Sequence, residues 1–135
     1  MMNHPLMLRL SSDPKNVECV EPFVEELVKQ YHISPDMYGN ILISLTEAVN
    51  NAIRHGNCND QNKTVKVSMQ QVSEHKIAFQ VSDEGSGFDF DSVPDPTSPE
   101  NILKMGGRGV FLMRQLCDDI LFHDNGSTVE IQFNI

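Results

Sequence analysis

The chain has 135 residues with a formal net charge of −9, and 39% of its residues are hydrophobic. This length and composition fit one globular domain, residues 1–135, that can bury a real core. The acidic charge argues against nonspecific binding to nucleic acid or to anionic membranes, and no apolar run reaches membrane-spanning length. A local nest of backbone N–H groups can still bind an anion in such a chain.

The three cysteines, Cys19, Cys58 and Cys117, form no paired framework. Their odd number and the absence of a secretory signal predict reduced thiols and a cytoplasmic protein. His55 and Cys58 are spaced like two metal ligands. No second pair accompanies them, so we do not expect a zinc site.

Alternating leucines predict a short strand over residues 5–10. A helix is expected to follow, with Asp13 as its N-cap and Pro14 at its first position. Apolar residues recur at helical spacing from there to about Tyr31. They predict a packing face.

The second helix is opened by Ser34 and is predicted to run to Gly56, which can supply a left-handed C-terminal residue. At about 100° per residue, Glu47 and Asn51 project within about 40° of each other, and Arg54 projects within about 20° of Glu47. The apolar residues gather on the opposite side. A carboxylate can take a proton, and an amide oxygen suits Mg²⁺. Alone, such a pair is also typical of a solvated helix surface.

Residues 63–72 and 76–82 alternate polar with apolar side chains and predict an antiparallel hairpin. Residues 90–105 lack periodicity and predict an exposed loop. A further helix and a final hairpin, with strands at 120–123 and 128–135, complete the chain. Because strands mostly follow one another directly, we expect an α+β fold: a two-layer sandwich with a largely antiparallel sheet and the helices on one face.

Two glycine clusters flank the irregular loop. Asp83 directly follows a predicted strand and is followed by Gly85 and Gly87. Glycine there lets a ligand approach the backbone, and the Asp83 carboxylate could accept a hydrogen bond from an exocyclic amine such as that of adenine. A tight turn uses the same residue types, so this motif alone is weak.

The second cluster contains Gly106, Gly107, Arg108 and Gly109 and precedes a predicted helix. Glycine-rich backbone at a helix N-terminus is an anion site, and the guanidinium adds a formal positive charge. The spacing is not that of a Walker loop. No parallel strand–helix–strand unit surrounds it, so it is not a Rossmann fingerprint either.

In this order the motifs resemble the GHKL ATPase superfamily, which includes gyrase and the histidine kinases. Within it the chain resembles the bacterial anti-sigma-factor serine kinases, along nearly its whole length. The run Gly-Arg-Gly-Val-Phe-Leu-Met-Arg is also typical of that branch. The resemblance implies a Bergerat-type sandwich that uses ATP and Mg²⁺.

The resemblance also assigns roles to residues. It makes Glu47 the general base, Asn51 the Mg²⁺ ligand and Asp83 the partner of the adenine amine. A threonine near the adenine falls at Ser127 or at Thr128, and position favours Ser127. The further residues expected at the nucleotide are Arg54, Gly85, Gly87, Gly106, Gly107, Arg108 and Gly109.

As a function, the resemblance implies transfer of phosphate to a serine or threonine of an anti-anti-sigma (STAS-domain) partner. It also implies reversible inhibition of a sigma factor, and a homodimer. The main alternative is a nucleotide-binding partner-switch adaptor without kinase activity, against which the presence of both Glu47 and Asn51 argues. A histidine kinase fragment would need a dimerising helix pair carrying a phospho-accepting histidine upstream, and His32 lies in a single amphipathic helix. Free ATPase activity is a further alternative.

Overall fold

The structure, a computed structural model, describes residues 6–85 and 107–135. Strands and helices follow one another there in the predicted order: strand, helix, helix, strand, strand, helix, strand, strand. The helices are α1 (Val20–Gln30), α2 (Pro35–Asn51) and α3 (Gly107–Leu116), and the strands are β1 (Leu6–Ser11), β2 (Thr64–Ser73), β3 (Lys76–Ser82), β4 (Asp119–His123) and β5 (Thr128–Asn134). Shorter turns of 3-10 helix span Pro14–Cys19 and Asp124–Gly126, and a π-helical turn spans Ala52–Gly56.

The described strands form one five-stranded sheet in the order β1-β2-β3-β5-β4. All four neighbouring pairs are antiparallel. The predicted hairpin of β2 and β3 is present, with Val67 opposite Val81 and Met69 opposite Phe79. The predicted α+β class with a largely antiparallel sheet is therefore confirmed.

The core lies between one face of the sheet and the helices, as the alternation predicted. Phe79 and Phe133 are fully buried there and pack edge to face, with ring centroids 5.9 Å apart. Other buried side chains come from α1 (Val24, Leu27), α2 (Ile41, Leu45, Val49), β2 (Val65, Val67, Met69) and β5 (Val129, Ile131). The other face of the sheet carries exposed polar side chains such as Lys66 and Gln80. No described helix is long and apolar enough to cross a membrane.

The alternation along β3 determines where the following aspartate points. Ile77, Phe79 and Val81 are buried toward the helices. Successive side chains in a strand point to opposite faces, so Asp83, two residues beyond Val81, continues on the helix side at the end of the sheet. A carboxylate is thereby placed at the rim of the core.

The structure differs from the predicted helix boundaries at the start of the first helix and at the end of the second. The first helix begins with a 3-10 segment over Pro14–Cys19, with the Asp13 carboxylate accepting a hydrogen bond from the Lys15 N–H at 3.1 Å, as expected of an N-cap. The predicted left-handed end at Gly56 is wrong: Gly56 belongs to the π-helical turn, and the left-handed residues are Cys58 (φ 53°) and Asn59 (φ 59°).

Candidate functional site

A cleft opens between α2, the end of β3, α3 and the turn before β5. Its open space, with the mouth included, is about 430 Å³. It is lined by Ala48, Asn51, Ala52, His55, Val81, Asp83, Val110, Met113, Phe122, Gly126, Ser127 and Val129. Apolar walls with a few convergent polar groups are typical of a binding site for an organic ligand.

Three of the predicted site residues meet at this cleft. Asn51 approaches it from α2, Asp83 from the end of β3 and Ser127 from the turn before β5. Glu47 lies one turn before Asn51 on α2, about 6 Å away along the helix axis, and is half-buried. Among the described residues, none forms a hydrogen bond or an ion pair with its carboxylate.

Asp83 is held by its neighbours on both sides of the cleft. Its N–H donates to the carbonyl of Ser127 at 2.9 Å, and its carboxylate accepts from the Gly85 N–H at 2.8 Å. Burial raises the pKa of Asp83, and the Gly85 N–H and the positive charge of Lys63 partly oppose that rise. Burial strengthens a hydrogen bond to this carboxylate, because water competes less for it.

Two glycines make room for the Asp83 carboxyl group. A Cβ atom on Gly56 would overlap the Asp83 carboxyl atoms, and a Cβ atom on Gly85 would overlap the carbonyl of Gly56. The end of the π-helical turn and the loop after β3 therefore touch backbone to backbone, with the Asp83 side chain against Gly56. This close approach, rather than a left-handed conformation, is why Gly56 must be glycine.

We expect Gly56→Ala to damage both the fold and the cleft, because the new methyl group displaces the Asp83 carboxylate. The free energy of unfolding should fall by about 1–3 kcal/mol, as for other overpacked sites. Gly39→Ala is the matched control, since a Cβ atom there has nothing within 4 Å and Gly39 lies within α2. That control should gain roughly 0.5–1 kcal/mol of stability. Denaturant unfolding of both variants checks this. A free energy of unfolding in Gly56→Ala equal to that of the unaltered protein would contradict the packing described.

The turn before β5 completes the rim of the cleft. Gly126 has a φ of 92°, which a side chain would strain, and it lines the cleft beside Ser127. The Thr128 hydroxyl instead lies 3.0 Å from the Ser82 hydroxyl and 3.4 Å from the Asp124 carboxylate. Of the two residues predicted near the adenine, Ser127 is the one that lines the cleft.

The other predicted residues are placed differently. Arg54 is exposed on the π-helical turn and does not line the cleft formed by the described residues. A π turn has more residues per turn than an α-helix, so the 100° spacing that aligned Arg54 with Glu47 does not extend to it. The backbone of Gly107, Arg108 and Gly109 forms the start of α3, within the helix rather than before it. Gly87, Gly106 and the predicted loop at 90–105 lie outside the described residues.

Two residues at the site were not predicted. His55 lines the cleft one residue before Gly56, although its sequence position suggested only a metal ligand. Within the described ranges, no group of three metal-binding side chains includes it. Asn57 is fully buried and hydrogen-bonded to the loop after β3. It is one of three asparagines between 57 and 62 with no local pattern to separate it, so only the tertiary contacts identify it.

An antiparallel five-stranded sheet, helices on one face and a cleft between α2 and the end of β3 define the sandwich class of kinase-like ATPase domains. The chain belongs to the family described as the histidine kinase-like ATPase domain, whose model matches residues 10–133. The predicted superfamily is thereby confirmed.

Similar proteins support the same branch. The chain is 24% identical over 135 residues to the serine-protein kinase RsbW of Listeria innocua, an alignment that covers 95% of this chain and 85% of the relative. It is 31% identical over 96 residues to the serine-protein kinase RsbW of Staphylococcus aureus strain JH9, with 66% of this chain and 60% of the relative covered.

Solved structures show the same fold. The crystal structure of the RsbU and RsbW domains of Rv1364c from Mycobacterium tuberculosis matches 98% of this chain and 32% of its own, with a TM-score of 0.64 and 12% identity. A histidine kinase domain from Erythrobacter litoralis matches 86% of this chain and 60% of its own, with a TM-score of 0.54 and 17% identity.

Proposed function

We propose that this protein is a protein serine/threonine kinase that uses ATP and Mg²⁺. Its substrate is a STAS-domain anti-anti-sigma protein, and it also binds and inhibits a sigma factor. The observation that carries the proposal is the convergence of Asn51, Asp83 and Ser127 on one cleft, with Glu47 one turn away on α2. Relatives named serine-protein kinase support the reaction class.

The groups around the cleft fit a purine nucleotide. Val81, Met113 and Val129 supply apolar surface for the faces of a base. The Asp83 carboxylate, held from one side by the Gly85 N–H, keeps acceptor capacity for an exocyclic amine. Asn51 offers an amide oxygen, which suits Mg²⁺ beside phosphate oxygens. Bound Mg-ATP would supply the phosphoryl group and the charge that neutralises it.

In the proposed mechanism Glu47 takes the proton of the substrate hydroxyl as that oxygen bonds to the γ-phosphorus of ATP and the bond to the departing ADP breaks. Phosphoryl transfer demands positioning and charge neutralisation more than covalent chemistry from the protein. The rigid α2 helix provides the positioning, because it fixes the base and the proposed metal ligand one turn apart. Its packing on the sheet through Leu45 and Val49 keeps that spacing constant.

The wider assignment follows the anti-sigma branch. We propose a cytoplasmic homodimer that switches between its sigma factor and its STAS-domain partner, without direct contact to nucleic acid or membrane. The net charge of −9 supports the last point, since phosphate-rich surfaces repel an acidic protein.

The role of Asn51 gives a test that needs no partner protein. In the absence of Mg²⁺, Asn51→Ala should bind a non-hydrolysable ATP analogue about as well as the unaltered protein. Its gain in affinity on adding Mg²⁺ should be smaller by about 10- to 100-fold, the usual cost of a change around a metal. Calorimetric titrations with EDTA, and with Mg²⁺ in place of EDTA, measure the affinity without the metal and the gain in affinity that the metal causes.

Asn50→Ala is the matched control for this test, because Asn50 is the neighbouring asparagine and does not line the cleft formed by the described residues. It should keep the full Mg²⁺ effect. Equal Mg²⁺ effects in the two variants would remove Asn51 as the metal ligand, and no nucleotide binding by the unaltered protein would refute the proposed function.

A further inference from the structure

Asn57 is a buried amide in the loop between the π-helical turn and β2. Its side chain is 0% exposed. Its own N–H donates to the carbonyl of Ala52 at 2.8 Å, and the next two residues, Cys58 and Asn59, are both left-handed. Consecutive left-handed residues that are not glycine are costly and persist only where the surroundings determine them. The surroundings therefore fix the backbone of this loop.

The amide makes three hydrogen bonds to three segments of the chain. Its Nδ2 donates to the Ser12 hydroxyl at 2.7 Å and to the Thr64 carbonyl at 3.1 Å. Its Oδ1 accepts from the Glu84 N–H at 2.7 Å. A single side chain thus joins the ends of β1 and β3 to the start of β2, with most of its hydrogen-bonding capacity satisfied.

The bond to Glu84 has a consequence for the cleft. Glu84 lies between Asp83, which lines the cleft, and Gly85, whose N–H binds the Asp83 carboxylate. The residue before Asn57 is Gly56, against whose backbone the Asp83 carboxyl group packs. The same loop therefore holds Asp83 from two directions, through the Gly56 backbone and through the Asn57 amide.

We propose that Asn57 is a positioning residue for the base-recognition end of the cleft. It does not line the cleft itself; it fixes the peptide at Glu84 and thereby the direction of the Asp83 carboxylate. A fixed carboxylate accepts from the 6-amino group of adenine and repels the 6-oxo group of guanine. Asn57 therefore sets the preference for adenine over guanine nucleotides. This inference rests on the proposed nucleotide function.

The test compares ADP and GDP binding to Asn57→Ala and to Ser12→Ala, at a temperature where circular dichroism shows both variants folded. Ser12→Ala is the matched control, because it removes one hydrogen bond of the same amide but leaves the bond from Glu84 in place. Asn57→Ala should weaken ADP binding by about 10- to 100-fold and lower the ADP-to-GDP affinity ratio by about tenfold. Ser12→Ala should leave that ratio within about threefold of the unaltered protein.

The affinity ratio separates positioning from stability, since a purely structural role weakens both nucleotides equally. An unchanged ADP-to-GDP affinity ratio in folded Asn57→Ala overturns the inference. An equal fall of this ratio in Asn57→Ala and Ser12→Ala overturns it as well. If Asn57→Ala does not fold, the side-chain amide resonances of Asn57 are followed by NMR in the unaltered protein. They should shift on saturation with ADP, and no shift overturns the inference. If the unaltered protein binds no ADP, the proposed function fails and this inference fails with it.

Discussion

Replacing Glu47 with alanine should slow phosphoryl transfer to the STAS-domain partner by about 10²- to 10⁴-fold, the usual contribution of a general base. The nucleotide should still bind, because Asn51, Asp83 and Ser127 line the cleft and Glu47 does not belong to its described lining. The rate is measured with saturating Mg-ATP and purified partner, and the Kd for ADP is measured in parallel.

Glu26→Ala is the charge-matched control for this experiment. Glu26 is an exposed glutamate on α1, away from the cleft. Its replacement also removes one glutamate carboxylate, but we expect no effect on the rate of phosphoryl transfer. A normal rate in Glu47→Ala would show that Glu47 has no catalytic role. An equal loss of ADP affinity and of rate would instead place Glu47 in nucleotide binding.

Asp83→Asn should weaken ATP binding by roughly 10- to 100-fold, because a hydrogen bond to a charged group contributes about 1.5–3 kcal/mol. The fold should tolerate this change, since an asparagine Oδ1 can still accept from the Gly85 N–H. Titration calorimetry measures the affinity. Normal ATP binding by the folded variant would contradict the role given to this carboxylate.

For stability we expect the opposite effect of Asp83→Asn: it weakens ATP binding but does not destabilise the fold. Burial raises the pKa of Asp83 in the folded protein above its ordinary value. The folded state therefore binds this proton more tightly than the unfolded chain does, and stability is lost as pH rises from the ordinary pKa through the raised one. Asp83→Asn lacks this loss, so at neutral pH it should be at least as stable as the unaltered protein.

Denaturant unfolding of both proteins between pH 4 and pH 7 tests that sign, because other titrating groups cancel in the difference. The advantage of Asp83→Asn should grow as pH rises. A variant less stable at pH 7 than at pH 4, relative to the unaltered protein, would contradict it. Lower affinity together with equal or higher stability is typical of a binding residue kept for function.

The sequence predicted best the features that depend on local periodicity. The bounds of β3, Lys76–Ser82, are those that the alternation indicated, because a half-buried strand needs a period of two. The shared face of Glu47 and Asn51 follows from the α-helical period, and α2 extends through both. The place of Asp83 follows from its position two residues after a buried valine.

The features that were missed depend on contacts between distant segments. The π-helical turn ends where Gly56 meets the Asp83 carboxyl group, and no local pattern near Gly56 indicates that contact. The wrong left-handed assignment of Gly56 and the alignment of Arg54 with Glu47 both follow from missing this turn. Asn57 shows the same limit, since its partners are Ser12, Thr64 and Glu84.

The intact mass of candidate STAS-domain proteins, after incubation with this protein and Mg-ATP, tests the kinase assignment most directly. Glu47→Ala is incubated in parallel. We expect one STAS-domain protein to gain the mass of one phosphate with the unaltered protein, and to gain none with the variant over the same time. No gain on any candidate, while Mg-ATP still binds tightly, would contradict the kinase assignment and indicate a nucleotide-binding partner-switch adaptor.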